Sequence, residues 1–274
     1  MSRKNLLKKK IRINMISNNM SWIFSVFFLL FFQLSGQNVI SNVKENVVNI
    51  QDGNSSVNSG IIINNGKIAG GAVTLTGNGD YVNTARGLPA FESISVRGSF
   101  DVNIKLFPAC KNEIQINSDS NLTDNVKAIV EKGELKIFPE KSYSSSRKIS
   151  IILKASSLST VSVEGANSIT AGPLASDIFN LKSPGGCNTI SFSGTVRELN
   201  MQLGGASKLD AGQLCADNAA LNLSGAAEAV IQVKGTIKLK ASGAAKIFYV
   251  GKPSEIIKEL AGAAKLLPYE LKNK

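Results

Sequence analysis

A Gly-Ala or Gly-Gly step followed by one aliphatic residue recurs six times in the second half of the chain, from "EGANSI" at Glu164 to "AGAAKL" at Ala261. The first glycines of these steps are Gly165, Gly185, Gly205, Gly225, Gly243 and Gly262, at intervals of 20, 20, 20, 18 and 19 residues. A period near 20 marks a solenoid, in which each repeat buries its apolar face only by stacking on its neighbours. Upstream of the glycines, runs such as "TVSVE", "IFNLKS", "ELNMQL" and "TIKLKAS" alternate apolar and polar residues. That is the period of a strand with one buried face. The Leu-rich consensus with a fixed Asn that a leucine-rich repeat needs is missing. Short strands joined at small-residue corners instead predict an all-β chain built as a parallel β-helix with coils of about 20 residues. In this reading the six glycines are structural corners, able to take positive φ. The Ala or Ser that follows lets coils stack about 4.8 Å apart. Ile169, Ile190, Leu209, Val230, Ile247 and Leu266 then return to the core.

The rest of the chain is also β in pattern. "FESISV", "FDVNIKL", "NEIQIN" and "GELKIF", between residues 91 and 138, alternate apolar and polar positions. Further upstream, "GIIINNGKIAG" predicts two short strands around an Asn65-Gly66 turn, a pair that accepts positive φ. Residues 37 to about 56 are low in apolar content and are expected to be weakly ordered. Residues 254–267 fit either a last coil or a short helical cap after Pro253, because Ile256, Ile257, Leu260, Ala261, Ala264 and Leu267 also share a helical face.

The first 40 residues carry six of the eleven net positive charges and no acid, and they include the apolar run "SWIFSVFFLLFF". A basic start, a short apolar run and then small polar residues predict a secretory signal peptide over residues 1–36. An uncleaved membrane anchor is the competing reading, but that usually takes about 20 apolar residues. Gln37 stands where a lipoprotein signal would place its acylated Cys, so lipidation is not expected. The remaining positive charge is scattered, which argues against a nucleic-acid partner.

No residue set nominates a catalytic, cofactor-binding or metal-ligating site. The chain has no His, and its single Trp, Trp22, lies in the signal segment. Cys110, Cys187 and Cys215 match no metal spacing, and they are expected to be small buried apolar residues with no disulfide assigned among them. A β-helix can carry a polysaccharide lyase or hydrolase, whose carboxylates sit on neighbouring coils. Glu164, Asp210 and Glu228 fall at different repeat positions. Asp177 and Asp217 share a phase but stand two coils apart. "GNGD" at residues 77–80 occurs once and reads as a turn.

The segment "LPAFESISVRGSFDVNIKL", the later "NLTDNVKAIVEKGELKI" and the train of Ser-Gly-Ala steps ending in "FYVGKP" resemble the head GIN domain family. Its members are bacterial envelope proteins known as putative auto-transporter adhesins. The resemblance spans roughly residues 88–268 and implies a right-handed β-helix. Together with the signal segment read above, it divides the chain into a signal peptide (1–36), an N-terminal extension (37–87) and a β-helix domain (88–274). It also implies an exported, non-enzymatic protein of the periplasm, outer-membrane surface or exterior that contacts a glycan or a protein at a cell surface. A carbohydrate-active β-helix enzyme and a structural module of an envelope assembly are the alternatives.

Overall fold

The computed structural model describes residues 74–269 without a break, together with five short strands between residues 37 and 70. The predicted signal segment, the Asn65-Gly66 turn and the tail 270–274 lie outside the described residues, as does much of the stretch expected to be weakly ordered. The five early strands are β1 (Gln37–Val39), β2 (Val47–Val48), β3 (Ile50–Asp52), β4 (Ile61–Asn64) and β5 (Lys67–Gly70). β4 and β5 pair antiparallel with Asn64 opposite Lys67, as the Asn-Gly pattern predicts.

From residue 74 onward the chain is strand after strand, with one 3-10 turn at Ser120–Asn125. β6 (Leu75–Thr76) and β7 (Tyr81–Gly87) lead into β8 (Ser93–Gly98) and β9 (Phe100–Leu106). β9 shows why these segments are strands: Phe100, Val102, Ile104 and Leu106 are buried while Asp101, Asn103 and Lys105 face solvent. β10 (Glu113–Asp119) precedes the 3-10 turn, and β11 (Val126–Glu131) then doubles back as β12 (Glu134–Pro139). That hairpin turns on Lys132 and Gly133, both at positive φ, the conformation a tight two-residue connection requires. β13 (Tyr143–Ser144) and β14 (Ile149–Ala155) complete this part.

The spatial order of these strands departs from their chain order. β8 lies between β12 and the later β15 (Thr160–Gly165), with Ser93 level with both Glu134 and Thr160. β9 lies between β14 and the later β16 (Ser168–Ser183). The chain therefore lays down β8 and β9, makes an excursion, places β12 and β14 on one side of them, and continues on the other side. Parallel pairing of this kind needs a long connection, and the excursion supplies it.

Beyond β15 the order becomes regular. β16, β17 (Thr189–Leu203) and β18 (Lys208–Leu223) pair parallel and nearly in register, each residue meeting one about twenty positions on. Register shifts at Ala171/Leu174 and Ser191/Ser193 mark bends within these long strands. β19 (Glu228–Val233), β20 (Thr236–Ala241), β21 (Lys246–Val250), β22 (Glu255–Leu260) and β23 (Lys265–Pro268) continue the stack. The segment for which a last coil and a helical cap were both open is therefore strand.

Two broad faces result. The A face carries β12, β8, β15, the C-terminal halves of β16, β17 and β18, then β20 and β22. The B face carries β14, β9, the N-terminal halves of β16, β17 and β18, then β19, β21 and β23. Between them runs a continuous apolar core that includes Val161, Leu181, Met201, Leu221 and Leu239 from the A side and Ile169, Ile190, Leu209 and Ile247 from the B side. Phe179 and Phe192 meet edge-on inside it, their ring centroids 5.0 Å apart. None of the three cysteines reaches this core: Cys110 and Cys215 are half-buried, Cys187 is exposed, and all are free thiols. Cys187 follows a corner glycine, where the side chain points outward, which overturns the expectation of a buried residue.

Candidate interaction surface

The predicted corners join the A face to the B face. Gly165, Gly205, Gly225, Gly243 and Gly262 all have positive φ, between 64° and 106°. In the remaining step Gly186, not Gly185, occupies the equivalent place, with φ of 90° and its backbone against Gly165. Gly98 extends the column one step earlier, with φ of 136°. The 67-residue gap between Gly98 and Gly165 hides this from a search for periods. A hydrogen-bond chain runs up the column: each residue after a corner glycine donates its N–H to the preceding coil's glycine carbonyl. Examples are Ala206 to Gly186 at 2.9 Å, Ala226 to Gly205 at 2.8 Å and Ala244 to Gly225 at 2.7 Å. Close approach and positive φ together demand glycine here. A Cβ on Gly243 would stand 2.7 Å from the Gly225 carbonyl oxygen.

Four residues beyond each corner glycine the chain re-enters the core, at Ile169, Ile190, Leu209, Ala229, Ile247 and Leu266. Ala229 corrects the expected Val230, which points outward in the column of Asp210 and Phe248. Two residues beyond each glycine is a buried column that the sequence reading missed: Asn167, Asn188, Ser207, Ala227 and Ala245. The Asn188 carbonyl oxygen accepts from the Asn167 N–H at 2.9 Å, and its amide donates to Ser183 Oγ at 3.0 Å. Asn167 likewise accepts from the Phe100 N–H at 3.0 Å. These amides satisfy backbone groups that the bend leaves buried, and further along the column turns to the fully buried Ala227 and Ala245.

The carboxylates considered for catalysis remain apart in role. Asp177 pairs with Arg197 at 2.8 Å, Asp210 accepts from the Gly212 N–H at 3.0 Å, and Glu228 stands in register between Lys208 and Lys246. Glu164 and Asp217 are exposed. Among the described residues no three of His, Cys, Asp and Glu gather in one place. "GNGD" is a turn tied down by a residue not singled out in sequence, the buried Asp119. Its carboxylate accepts from the Gly79 N–H at 3.0 Å and from the Ser145 hydroxyl. Next to it, Tyr143 donates to the Ser99 carbonyl at 2.8 Å, and burial raises its phenol above the ordinary value.

The outward side of the A face carries two aligned columns of mainly polar side chains. Register aligns one column as Ser93, Thr160, Asn180, Asn200, Ala220, Lys238 and Ile257, and a second as Ser95, Ser162, Lys182, Gln202, Asn222, Lys240 and Glu259. Within the first column Asn200 donates to Asn180 at 3.1 Å and Asn180 to Thr160 at 3.4 Å. In the second, Lys240 pairs with Glu259 at 3.1 Å. A shallow open depression of about 530 Å³ lies over these columns, bordered by Asn200, Lys182, Gln202, Asn222, Lys238 and Lys240. Such side chains offer hydrogen-bond donors and acceptors at the strand spacing of about 4.8 Å.

The sequence matches the family described as "Putative auto-transporter adhesin, head GIN domain" over residues 90–190 and 184–253. The chain belongs to this family. A "putative adhesin" from Bacteroides fragilis shares the fold, with a TM-score of 0.60 at 17% identity, over 71% of this chain and 99% of its own. A "putative lipid binding protein" from Parabacteroides distasonis gives 0.45 at 17% identity, over 71% and 99% of the two chains. A "putative adhesin" from Parabacteroides merdae gives 0.42 at 15%, over 71% and 98%. No curated protein matches. Among the described residues no helix is long and apolar enough to cross a membrane.

Proposed function

We propose that this head GIN protein is an exported, non-enzymatic surface-interaction protein of the bacterial envelope, in which the A face makes the contact. The organisation proposed with it is a signal peptide over residues 1–36, an extension over 37–87 and a right-handed parallel β-helix over 88–274, turned at Gly98, Gly165, Gly186, Gly205, Gly225, Gly243 and Gly262. The observation that carries the reading is the pair of outward columns, polar except at Ala220 and Ile257, with no gathered acid–base set among the described residues. Family membership supports an adhesive role, and the basic, then apolar, N-terminal sequence supports export. A regular array of amides, hydroxyls and ammonium groups suits an extended glycan or a protein surface, because many weak contacts add along its length.

The test is binding of the purified protein to a glycan array and to whole cells, beside a Lys182→Glu, Gln202→Glu double variant. The native protein is expected to bind saturably, and the variant to lose at least about tenfold in affinity with an unchanged circular dichroism spectrum. Saturable binding that the double variant leaves intact would move the contact off the A face, and absence of any binding would remove the adhesive reading.

A further inference from the structure

Among the described residues β22 has one neighbour. It pairs with β20 and, among the described residues, with no other strand. Its outer row of N–H and C=O groups meets no strand among the described residues, and an open edge is a template for another strand. Five of the eight large apolar side chains exposed among the described residues fall between residues 256 and 269: Ile256, Ile257, Leu260, Leu267 and Tyr269. That places the exposed apolar surface at this end of the stack. Register identifies which side chains of β22 continue the core. Ile256 follows Ile237, Lys258 follows Leu239 and Leu260 follows Ala241, and those three predecessors are buried. The end of the core thus presents an apolar, a cationic and an apolar residue at alternate positions.

We propose that β22 receives an extended segment of a partner protein in which an acidic residue stands between two apolar residues at alternate positions. A strand added there covers Ile256 and Leu260 with its own apolar side chains and removes Lys258 from water. A carboxylate opposite Lys258 answers its charge, whereas an apolar or basic residue leaves a buried cation unpaired. Glu259 does not serve, since it points to the opposite side of the strand and pairs with Lys240 at 3.1 Å. Around it the charges are mixed, with Lys252 and Lys265 against Glu255 and Glu259, so the discrimination rests on Lys258 at its inward position. A second copy of the chain fits poorly: the antiparallel register that sets Ile256 against Leu260 sets Lys258 against Lys258, and like charges directly opposite repel. Lys258 therefore both excludes and selects, and the contact is strand addition to a sheet edge. It uses the edge and the inward side chains of the last A-face strand, whereas the contact proposed above uses the outward side chains.

The experiment is isothermal titration of the full chain with two synthetic peptides, Thr-Val-Thr-Glu-Thr-Val-Thr and the same peptide with Lys in place of Glu. The Glu peptide is expected to bind, the Lys peptide to bind at least about tenfold more weakly, and Lys258→Glu to invert that order. Lys182→Glu, on the A face, should leave peptide binding unchanged, so this test and the glycan-array test fail independently. Equal affinity for the two peptides, no binding of either, or a preference that survives Lys258→Glu would overturn the proposal. So would a native protein that is already a dimer closed over β22, or one that sediments with anionic vesicles through Ile257 and Leu260.

Discussion

At a corner glycine, one carbon atom decides whether two coils can touch. Gly225 has φ of 71°, and a Cβ there would lie 2.8 Å from the Gly205 carbonyl oxygen. Gly225→Ala is therefore expected to cost on the order of 2 kcal/mol or more, from the left-handed backbone and the steric contact together. Ala226→Gly, at the exposed next position, should cost under about 1 kcal/mol. Urea unfolding monitored by circular dichroism measures both, and equal losses would contradict the corner geometry. Spacing pointed to glycine at positions that here take positive φ, but it did not always point to the particular residue. "PGGCN" offers two adjacent glycines, and only the contact with Gly165 selects Gly186. "AEAVI" offers Ala229 and Val230 for one inward position, and hydrophobicity favours the wrong one, because the coil there accepts a small side chain beside Ile247. The Asn167–Asn188 pair left no periodic signal, since its column changes to Ser and then to Ala.

Strands were legible wherever one face is buried, because alternation reports the two sides of a strand directly. Alternation says nothing about which strand lies beside which. β8 and β9 therefore read as the start of a simple succession, while their parallel neighbours β12 and β14 come from 41 and 49 residues later in the chain, at Ser93–Glu134 and Phe100–Ile149. The last element shows a different limit. "EIIKEL" has apolar residues on both sides of the strand, so it fits a helix or an edge strand equally well, and only its pairing with β20 decides. Lys258 is then the charged residue at an inward position that keeps an edge from pairing with its like. Lys258→Ile would make the inward column apolar without interruption from Ile256 to Leu260. The variant is expected to sediment as dimers or larger species at micromolar concentration, while the native chain does not. Sedimentation velocity measures this, and an unchanged size distribution would show that Lys258 does not guard the edge.

From β15 onward, parallel strands pair mainly with those about twenty residues away in the chain, so stability should vary along the sheet. β16, β17 and β18 are long and are paired on both sides, and their inward side chains are almost fully buried. β22 and β23 are short, paired on one side among the described residues, and exposed along most of their length. In a stack whose repeats touch only their neighbours, the end opens before the middle. The other end differs, because the excursion places β12 and β14 on one side of residues 93–106 and β15 and β16 on the other, all of them later in the chain. Opening that end means breaking long-range pairings together, so it should resist fraying more than β22 does. Amide hydrogen exchange read by peptide mass is expected to be fastest in residues 255–268, intermediate in 126–155 and slowest in 168–223. A single common rate across all three regions would mean that the stack opens only as a whole, and that neighbour-by-neighbour stability does not describe it.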